Sequence, residues 1–440
     1  MQATSGIPGH MSRRSLAVAA LSTIVEWYDF TLYLYLATLL PRTFFGGGAV
    51  ALGDTLAGFA LAYLMRPLGA IVFGHIGDRY GRRVTMLASM AMMTGAMLAT
   101  ALLPTYAQVG SAAGWMLIGL RCLMAFSVGG EYTGVVAYLM EGAPSDRRGF
   151  VTSLASAASE IGALLAAGVS AVTVASMDGE SLEHWGWRIP FLVGAGLAGL
   201  ILLARSTMEE SQDFVRQRAQ GSIPRNPLRH SLRHHRVAIG RGFAISALGS
   251  ITYYVGITYV PSFVTSVGAM GEGRALWLST LAALVVVGIT PLVGMLADRV
   301  GRRPVLLFLA GGSVLLPMAM FLLMMQGTVG MALAGAVVLA CLGGAVSAVG
   351  AVTTAEQFPG EGRLSGLAFG ATMATALFGG LTPWLAHMLI EQTGWALVPG
   401  AMIALVGLCV LPVLWALPET APPILRSRKT ADPSPDRPFS

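Results

Sequence analysis

The sequence predicts an all-α integral membrane protein, with twelve transmembrane helices in two six-helix, pseudo-symmetric bundles. Three observations predict it. First, 55% of the 440 residues are hydrophobic and only 11% are charged, with a mean hydropathy of +0.68. A soluble domain carries about 25% charged residues, so this chain has too few polar side chains to cover a water-facing surface. Second, twelve apolar runs can be drawn, each close to the roughly 20 residues a helix needs to cross a bilayer. Third, a charged, glycine-punctuated segment occurs twice. Gly74-His75-Ile76-Gly77-Asp78-Arg79-Tyr80-Gly81-Arg82-Arg83 returns 220 positions later as Gly294-Met295-Leu296-Ala297-Asp298-Arg299-Val300-Gly301-Arg302-Arg303. Both copies read G-x-x-x-D-R-x-G-R-R, and their separation is half the chain.

The first six spans are expected at 16–40, 54–75, 84–104, 112–140, 150–174 and 188–206. The second six are expected at 238–261, 275–296, 304–325, 329–355, 365–389 and 395–417. The organisation read from these runs is an N-terminal bundle (1–206), a polar linker (207–236), a C-terminal bundle (237–417) and a polar, proline-rich tail (418–440) expected to be disordered. Glycine is abundant, 55 residues of 440, as suits helices that pack closely in lipid. Met11-Ser12-Arg13-Arg14 resembles the start of a signal peptide, but the apolar run after it continues to about Leu40, too long for an h-region. Arg13 and Arg14 are read instead as anchors of the first helix.

Charge fixes the expected orientation. Of the 28 Arg and Lys residues, only Arg42, Arg66, Arg121, Arg188 and Arg274 fall outside the segments that are cytoplasmic when both termini lie inside. The +6 net charge is therefore read as positive-inside bias and not as a nucleic-acid surface. Cys122, Cys341 and Cys409 each lie in an apolar run, which argues against a disulfide framework. No G-x-x-x-x-G-K-[ST] segment is present, so ATP-driven pumping is not indicated. No metal-ligand cluster or catalytic nucleophile motif is evident, and neither an enzyme activity nor a cofactor is expected. The expected partners are a small solute, protons and the lipid bilayer, with the chain acting as a monomer.

The halves echo each other beyond the paired segments. Glu141, Pro144 and Arg148 return as Glu356, Pro359 and Arg363, and Glu183-x-x-Gly186-Trp187 returns as Glu391-x-x-Gly394-Trp395. Two six-helix halves in parallel order are one of the repeat architectures of secondary transporters.

The paired segments, with Glu26-Trp27-Tyr28-Asp29-Phe30, Arg66-Pro67-Leu68-Gly69, Gly129-Gly130-Glu131-Tyr132, Trp185-Gly186-Trp187-Arg188-Ile189-Pro190-Phe191 and Thr252-Tyr253-Tyr254, carry a resemblance. The chain resembles the major facilitator superfamily along nearly its full length, and within it the metabolite:proton symporters. The resemblance implies two helical bundles around a central cavity, alternating access and proton-coupled uptake of organic acids or of osmolytes such as proline and betaine. It also implies that Gly74, Asp78, Arg79, Gly81, Arg82 and Arg83, with Asp298, Arg299, Gly301, Arg302 and Arg303, form a conformational latch. Asp78 is placed to meet a helix N-terminus, and Arg79, Arg82 and Arg83 are expected at the cytoplasmic surface. The chain departs from the family where Ser22-Thr23 stands in place of a Gly-Asn pair before the Glu26 segment, and where Met124-Ala125 follows Arg121-Cys122-Leu123.

Candidates for binding substrate or protons lie inside the apolar runs. Glu26 and Asp29, at i and i+3, share one helix face with Tyr33. A charge at a helix centre costs about 2.5–3.5 kcal/mol on insertion scales, so both acids must face a wet cavity, bind a proton or pair with Arg66 or Arg121. Arg121 is read as a ligand for a substrate anion, or as a bridge to Glu26, Asp29 or Glu131. Arg66 is placed toward the cytoplasmic side with a structural role. Glu131 is either a coupling acid or part of a close helix crossing at Gly130-x-x-x-Gly134. Glu160 is either a specificity residue or part of the cavity wall. Tyr253 and Tyr254 are expected at a cavity wall or gate, and Tyr259 in an interfacial aromatic belt. His387 is read mainly as a packing residue.

The function expected first is proton-coupled import of a small organic acid. The alternatives are an osmolyte symporter and an exporter of a drug or siderophore.

Overall fold

The computed structural model describes residues 11–36, 39–46, 49–268 and 270–420. Twelve long helices follow one another: α1 Arg13–Tyr35, α2 Ala49–Arg79, α3 Arg82–Ala101, α4 Ala112–Gly142, α5 Arg148–Ser176, α6 Arg188–Ser206, α7 Arg236–Thr258 continued by Val260–Ser266, α8 Glu272–Val300, α9 Arg302–Met324, α10 Val329–Glu356, α11 Arg363–Thr393 and α12 Val398–Trp415. Among the described residues nine are long and apolar enough alone to cross a membrane, and α7, bent by 42°, makes a tenth. α1 and α2 have the length, at 23 and 31 residues; Glu26 and Asp29 lower the hydropathy of α1. Helices are the form a bilayer demands, because each satisfies its backbone polar groups internally.

Two π-helical turns interrupt this regularity, Tyr254–Thr258 in α7 and Ala376–Gly380 in α11. Such turns occur often at functional sites. Two short helices, Gln212–Gln220 and Pro227–His234, lie between α6 and α7. The end of the molecule they occupy is called here the linker end.

The halves meet along two seams, α2 against α11 and α5 against α8. Glycines set the approach at both. A Cβ on Gly74 would lie 2.9 Å from Ser365 Cα, and one on Gly294 would lie 2.6 Å from the Gly149 carbonyl. Each aspartate of the repeated segment then reaches across its seam to a helix N-terminus. Asp78 accepts the N–H groups of Leu364 (3.1 Å) and Ser365 (2.7 Å) at the start of α11. Asp298 accepts those of Gly149 and Phe150, both at 2.8 Å, at the start of α5. A carboxylate there satisfies orphan donors and complements the helix dipole.

The second half of each segment folds inward, which corrects one expectation. Arg82 and Arg302 are 1% and 0% exposed, not surface residues. Gly81 and Gly301, both at φ 117°, turn the chain so that the next guanidinium points back under it. Arg82 bonds Asp78 (2.9 Å), the Gly77 carbonyl (2.7 Å) and Glu141 (3.0 Å). Arg302 pairs with Asp298 (2.8 Å) and Glu356 (3.3 Å) and bonds the Ala297 carbonyl (2.7 Å). Burying a guanidinium is tolerable because each has several acceptors. Arg83 and Arg303 are half-buried, while Arg79 and Arg299 are exposed. Glu210 and Glu419 cap α3 and α9 by accepting the backbone N–H groups of residues 82–83 and 302–303. The symmetry breaks at one point. Arg363 crosses to Glu141 at 2.8 Å, whereas no Arg148–Glu356 pair is found among the described residues.

Two further readings change. Gly134 has open space where a Cβ would stand; the close crossing is made by Gly69 and Gly129, whose Cβ positions would overlap the Phe126 and Arg66 carbonyls. Arg205, counted from sequence among the cytoplasmic cations, is 0% exposed. It lies in the last turn of α6 and reaches back into the bundle. The tail beyond residue 420 lies outside the described residues.

Candidate functional site

Between the halves lies a cavity of ≈ 180 Å³. The N-terminal half contributes Glu26 and Trp27 from α1, Arg66 from α2, Tyr132 from α4 and Glu160 from α5; the C-terminal half contributes Tyr253 and Tyr254 from α7, with serines, threonines and small apolar residues. Arg66 is therefore a cavity residue, against the expectation of a site near the cytoplasmic side. The reason is the length of α2: 13 residues separate Arg66 from Arg79, roughly 20 Å of helix at ~1.5 Å per residue.

Glu26 is 4% exposed and sits 4.0 Å from the Arg66 guanidinium. Its Oε2 is buried without a hydrogen-bond partner. Arg66 also lies over the rings of Tyr63 (4.7 Å) and Phe30 (5.5 Å), a cation–π setting that holds the charge in place. Next to it, the Tyr63 and Tyr254 hydroxyls bond at 2.6 Å, tying α2 to α7 across the halves. Trp27 meets the Tyr253 ring edge-on at 5.1 Å. Glu160 is 3% exposed and accepts a hydrogen bond from the Tyr253 hydroxyl, a second bond across the halves.

Asp29 and Arg121 do not line the main cavity. They form a bidentate pair at 2.8 and 2.9 Å, the fork geometry for which arginine is suited, in a smaller adjoining cavity with Tyr33. The Arg121 guanidinium lies 5.3 Å from the Tyr33 ring. Of the alternatives read from sequence for Arg121, the geometry is that of the bridge to Asp29. The shared helix face of Glu26 and Asp29 thus serves two cavities: Asp29 lines the smaller one, while Glu26, Arg66 and Val128 line both.

Glu131 is buried in the N-terminal bundle and forms an ion pair with Arg205. Ser89 donates to the same carboxylate, and Arg205 also bonds the Met86 carbonyl at 2.5 Å. Nothing in the sequence signalled this partner, because Arg205 closes an apolar run and reads as a membrane-boundary cation. Tyr259 is 4% exposed and packs in the C-terminal core beside Phe263, so it is not a belt residue. His387 is half-exposed and lies 3.3 Å from Glu391 on the next turn, so it is not a packing residue either.

The sequence model of the Major Facilitator Superfamily matches residues 19–326 and 270–439. The chain belongs to that superfamily. It is a multi-pass membrane transporter. It is 31% identical over 415 residues to an ectoine/proline transporter of Corynebacterium glutamicum, covering 90% of this chain and 82% of that protein. It is 31% identical over 404 residues to a citrate-proton symporter of Klebsiella pneumoniae, covering 88% and 87%. To an alpha-ketoglutarate permease of Escherichia coli it is 32% identical over 381 residues, covering 85% and 87%. Among solved structures, a proton:xylose symporter bound to 6-bromo-6-deoxy-D-glucose superposes with a TM-score of 0.76 at 20% identity, covering 93% of this chain and 96% of that one; that likeness concerns the fold.

Proposed function

We propose that the protein imports a small carboxylate-bearing solute together with protons by alternating access, with Glu26 as the proton-binding acid and Arg66 as the group that meets the solute's carboxylate. The observation that carries this is the Glu26–Arg66 contact: a long ion pair at 4.0 Å, on the cavity wall, with one carboxylate oxygen lacking a partner. Protonating Glu26 removes the counter-charge from Arg66, and a buried guanidinium without a counter-charge recruits an anion. Proton and carboxylate thus enter as a neutral set. Deprotonated Glu26 competes for Arg66 and favours release. The linker end, the repeated segments and both termini face the cytoplasm, and the seam contacts of Asp78 and Asp298 act as the latch that holds that side shut.

A small organic acid is the first reading of the cargo, supported by similarity to the citrate and alpha-ketoglutarate carriers. A compact zwitterion such as proline or betaine is the second. It is supported by the aromatic faces of Trp27, Tyr132, Tyr253 and Tyr254 around the cavity, which suit a cationic group, and by similarity to the ectoine/proline transporter. The deciding experiment is uptake of labelled citrate, 2-oxoglutarate, proline and betaine by proteoliposomes, with and without an inward proton gradient. Gradient-independent uptake of every solute would overturn proton coupling.

A further inference from the structure

We propose that Glu160 is a second proton-coupling acid and that each solute crosses with two protons; this rests on the symport reading above. Glu160 lies in α5, lines the same cavity as Arg66 and is 3% exposed. Its described partner is the hydroxyl of Tyr253 in the other half. Among the described residues no Arg, Lys or His lies within 4.0 Å of it, whereas Asp29, Glu131 and Glu141 each have an arginine. Among the described residues, the cation on the cavity wall is Arg66, which is already matched by Glu26. An ionised carboxylate buried without a cation is costly, and the group accepts a proton instead.

The groups that face it make the same point. From α1 comes Glu26; from α4, Tyr132, whose hydroxyl is 3.0 Å from Ser156 Oγ; from α7, Tyr253 and Tyr254; from α2, Arg66. On α8 and α10, Asp298 and Glu356 are engaged at the linker end, and Arg274 and Arg299 of α8 are exposed, with no ion pair to Glu160 among the described residues. Asp298 binds the start of α5 at Gly149, 11 residues before Glu160, about 16 Å of helix at ~1.5 Å per residue. On α6, Arg205 is held by Glu131 and Arg188 by the His184 and Leu103 carbonyls.

The bond to Tyr253 supplies the coupling. An ionised Glu160 accepts a charge-assisted hydrogen bond that ties α5 to α7 across the cavity; a protonated one accepts a weaker bond. Loading the proton therefore loosens one of the two tyrosine ties between the halves, the other being Tyr63–Tyr254. The atom balance is a proton taken up by a Glu160 carboxylate oxygen on one side of the membrane and lost from it on the other.

The test is the zero-flux gradient in proteoliposomes with the membrane potential clamped, using whichever of labelled citrate, 2-oxoglutarate, proline or betaine the uptake experiment selects. Two protons sustain about a 100-fold solute gradient per pH unit, and one sustains about 10-fold. Wild type is expected at the first value and Glu160→Gln at the second. A wild-type value of about 10-fold, or a Glu160→Gln value equal to wild type, overturns the proposal. So does a Glu160→Gln variant that raises KM for proline or betaine at an unchanged gradient, since Glu160 would then be a cargo contact. Should Glu160→Gln fail to fold, Glu26→Gln carries the test through infrared titration of the solute-free protein. A titrating protonated-carboxyl band that persists in that variant supports Glu160 as a proton site, and its absence overturns it. Loss of coupling in Glu160→Gln but not in Glu26→Gln would refute the role given to Glu26 and leave that of Glu160 standing.

Discussion

The two halves share an architecture but not a chemistry. At the linker end they match nearly residue for residue: Asp78 and Asp298 on helix N-termini, Arg82 and Arg302 beneath them, Glu141 and Glu356 behind, Glu210 and Glu419 as caps. Deeper in the bundles the match ends. The N-terminal half buries Glu26, Asp29, Arg66, Arg121, Glu131, Glu160 and Arg205. The C-terminal half, among its described residues, faces the cavity with hydroxyls, small apolar groups and two tyrosines. Charges inside a membrane protein are expensive and persist where they are used or paired. The difference suggests one half that carries the ions and another that closes over them, reading their state through Tyr253 and Tyr254.

Four predictions can break or sharpen that contrast. The largest effect is expected from Glu26→Gln. Under an inward gradient of about two pH units, a single lost coupling proton removes about 100-fold of solute accumulation, while exchange of solute across the membrane persists. Accumulation equal to that of the wild type under this gradient would take Glu26 out of the mechanism. Next is the Asp29–Arg121 pair. Arg121→Ala leaves a buried, uncompensated carboxylate, with an expected cost of about 3–5 kcal/mol, read as a lower melting temperature in detergent together with lost uptake. The double substitution Asp29→Leu with Arg121→Met should recover the stability. If the single substitution leaves the melting temperature unchanged, the pair is not holding the N-terminal bundle.

The third prediction compares the seams. Asp78→Asn and Asp298→Asn each weaken a carboxylate–helix contact worth up to about 2 kcal/mol. Beside the α2–α11 seam the Arg363–Glu141 bridge still ties α11 to α4, so Asp298→Asn should open the linker end more. The readout is the alkylation rate of a cysteine placed at Ser347 on the cavity wall, in a background lacking the native cysteines. Equal rates would show the seams to be energetically symmetric. The smallest effect is expected at His387. Half-exposed beside Glu391, its replacement by Ala should change stability by less than about 0.5 kcal/mol and leave uptake unchanged; a fall in uptake would place chemistry in the C-terminal half.

Much of the fold was legible from sequence, because hydropathy and the repeated segment act locally. The run 188–206 coincides with α6, and 329–355 falls one residue short of α10. The second span was drawn too short, since Arg79 and Asp78 read as loop while α2 carries its charged end as helix to Arg79. For the site, the sequence singled out Glu26, Asp29, Arg121, Glu160, Tyr253 and Tyr254 as polar residues that a bilayer would not tolerate without a reason. It could not assign partners. Whether Arg66 or Arg121 meets the open cavity depends on how α2 and α4 cross at Gly69 and Gly129, a contact between residues 60 positions apart. Glu131 finding Arg205, and Arg82 turning inward onto Glu141, are likewise matters of distance in space.

By itself, then, the sequence determined the solvent, the number of spans and the doubling of the chain. These follow from composition and period, which every residue reports independently. Only the tertiary structure decided which charges neutralise each other and which remain facing the cavity, because pairing energy falls off within a few ångströms and packing alone sets those distances.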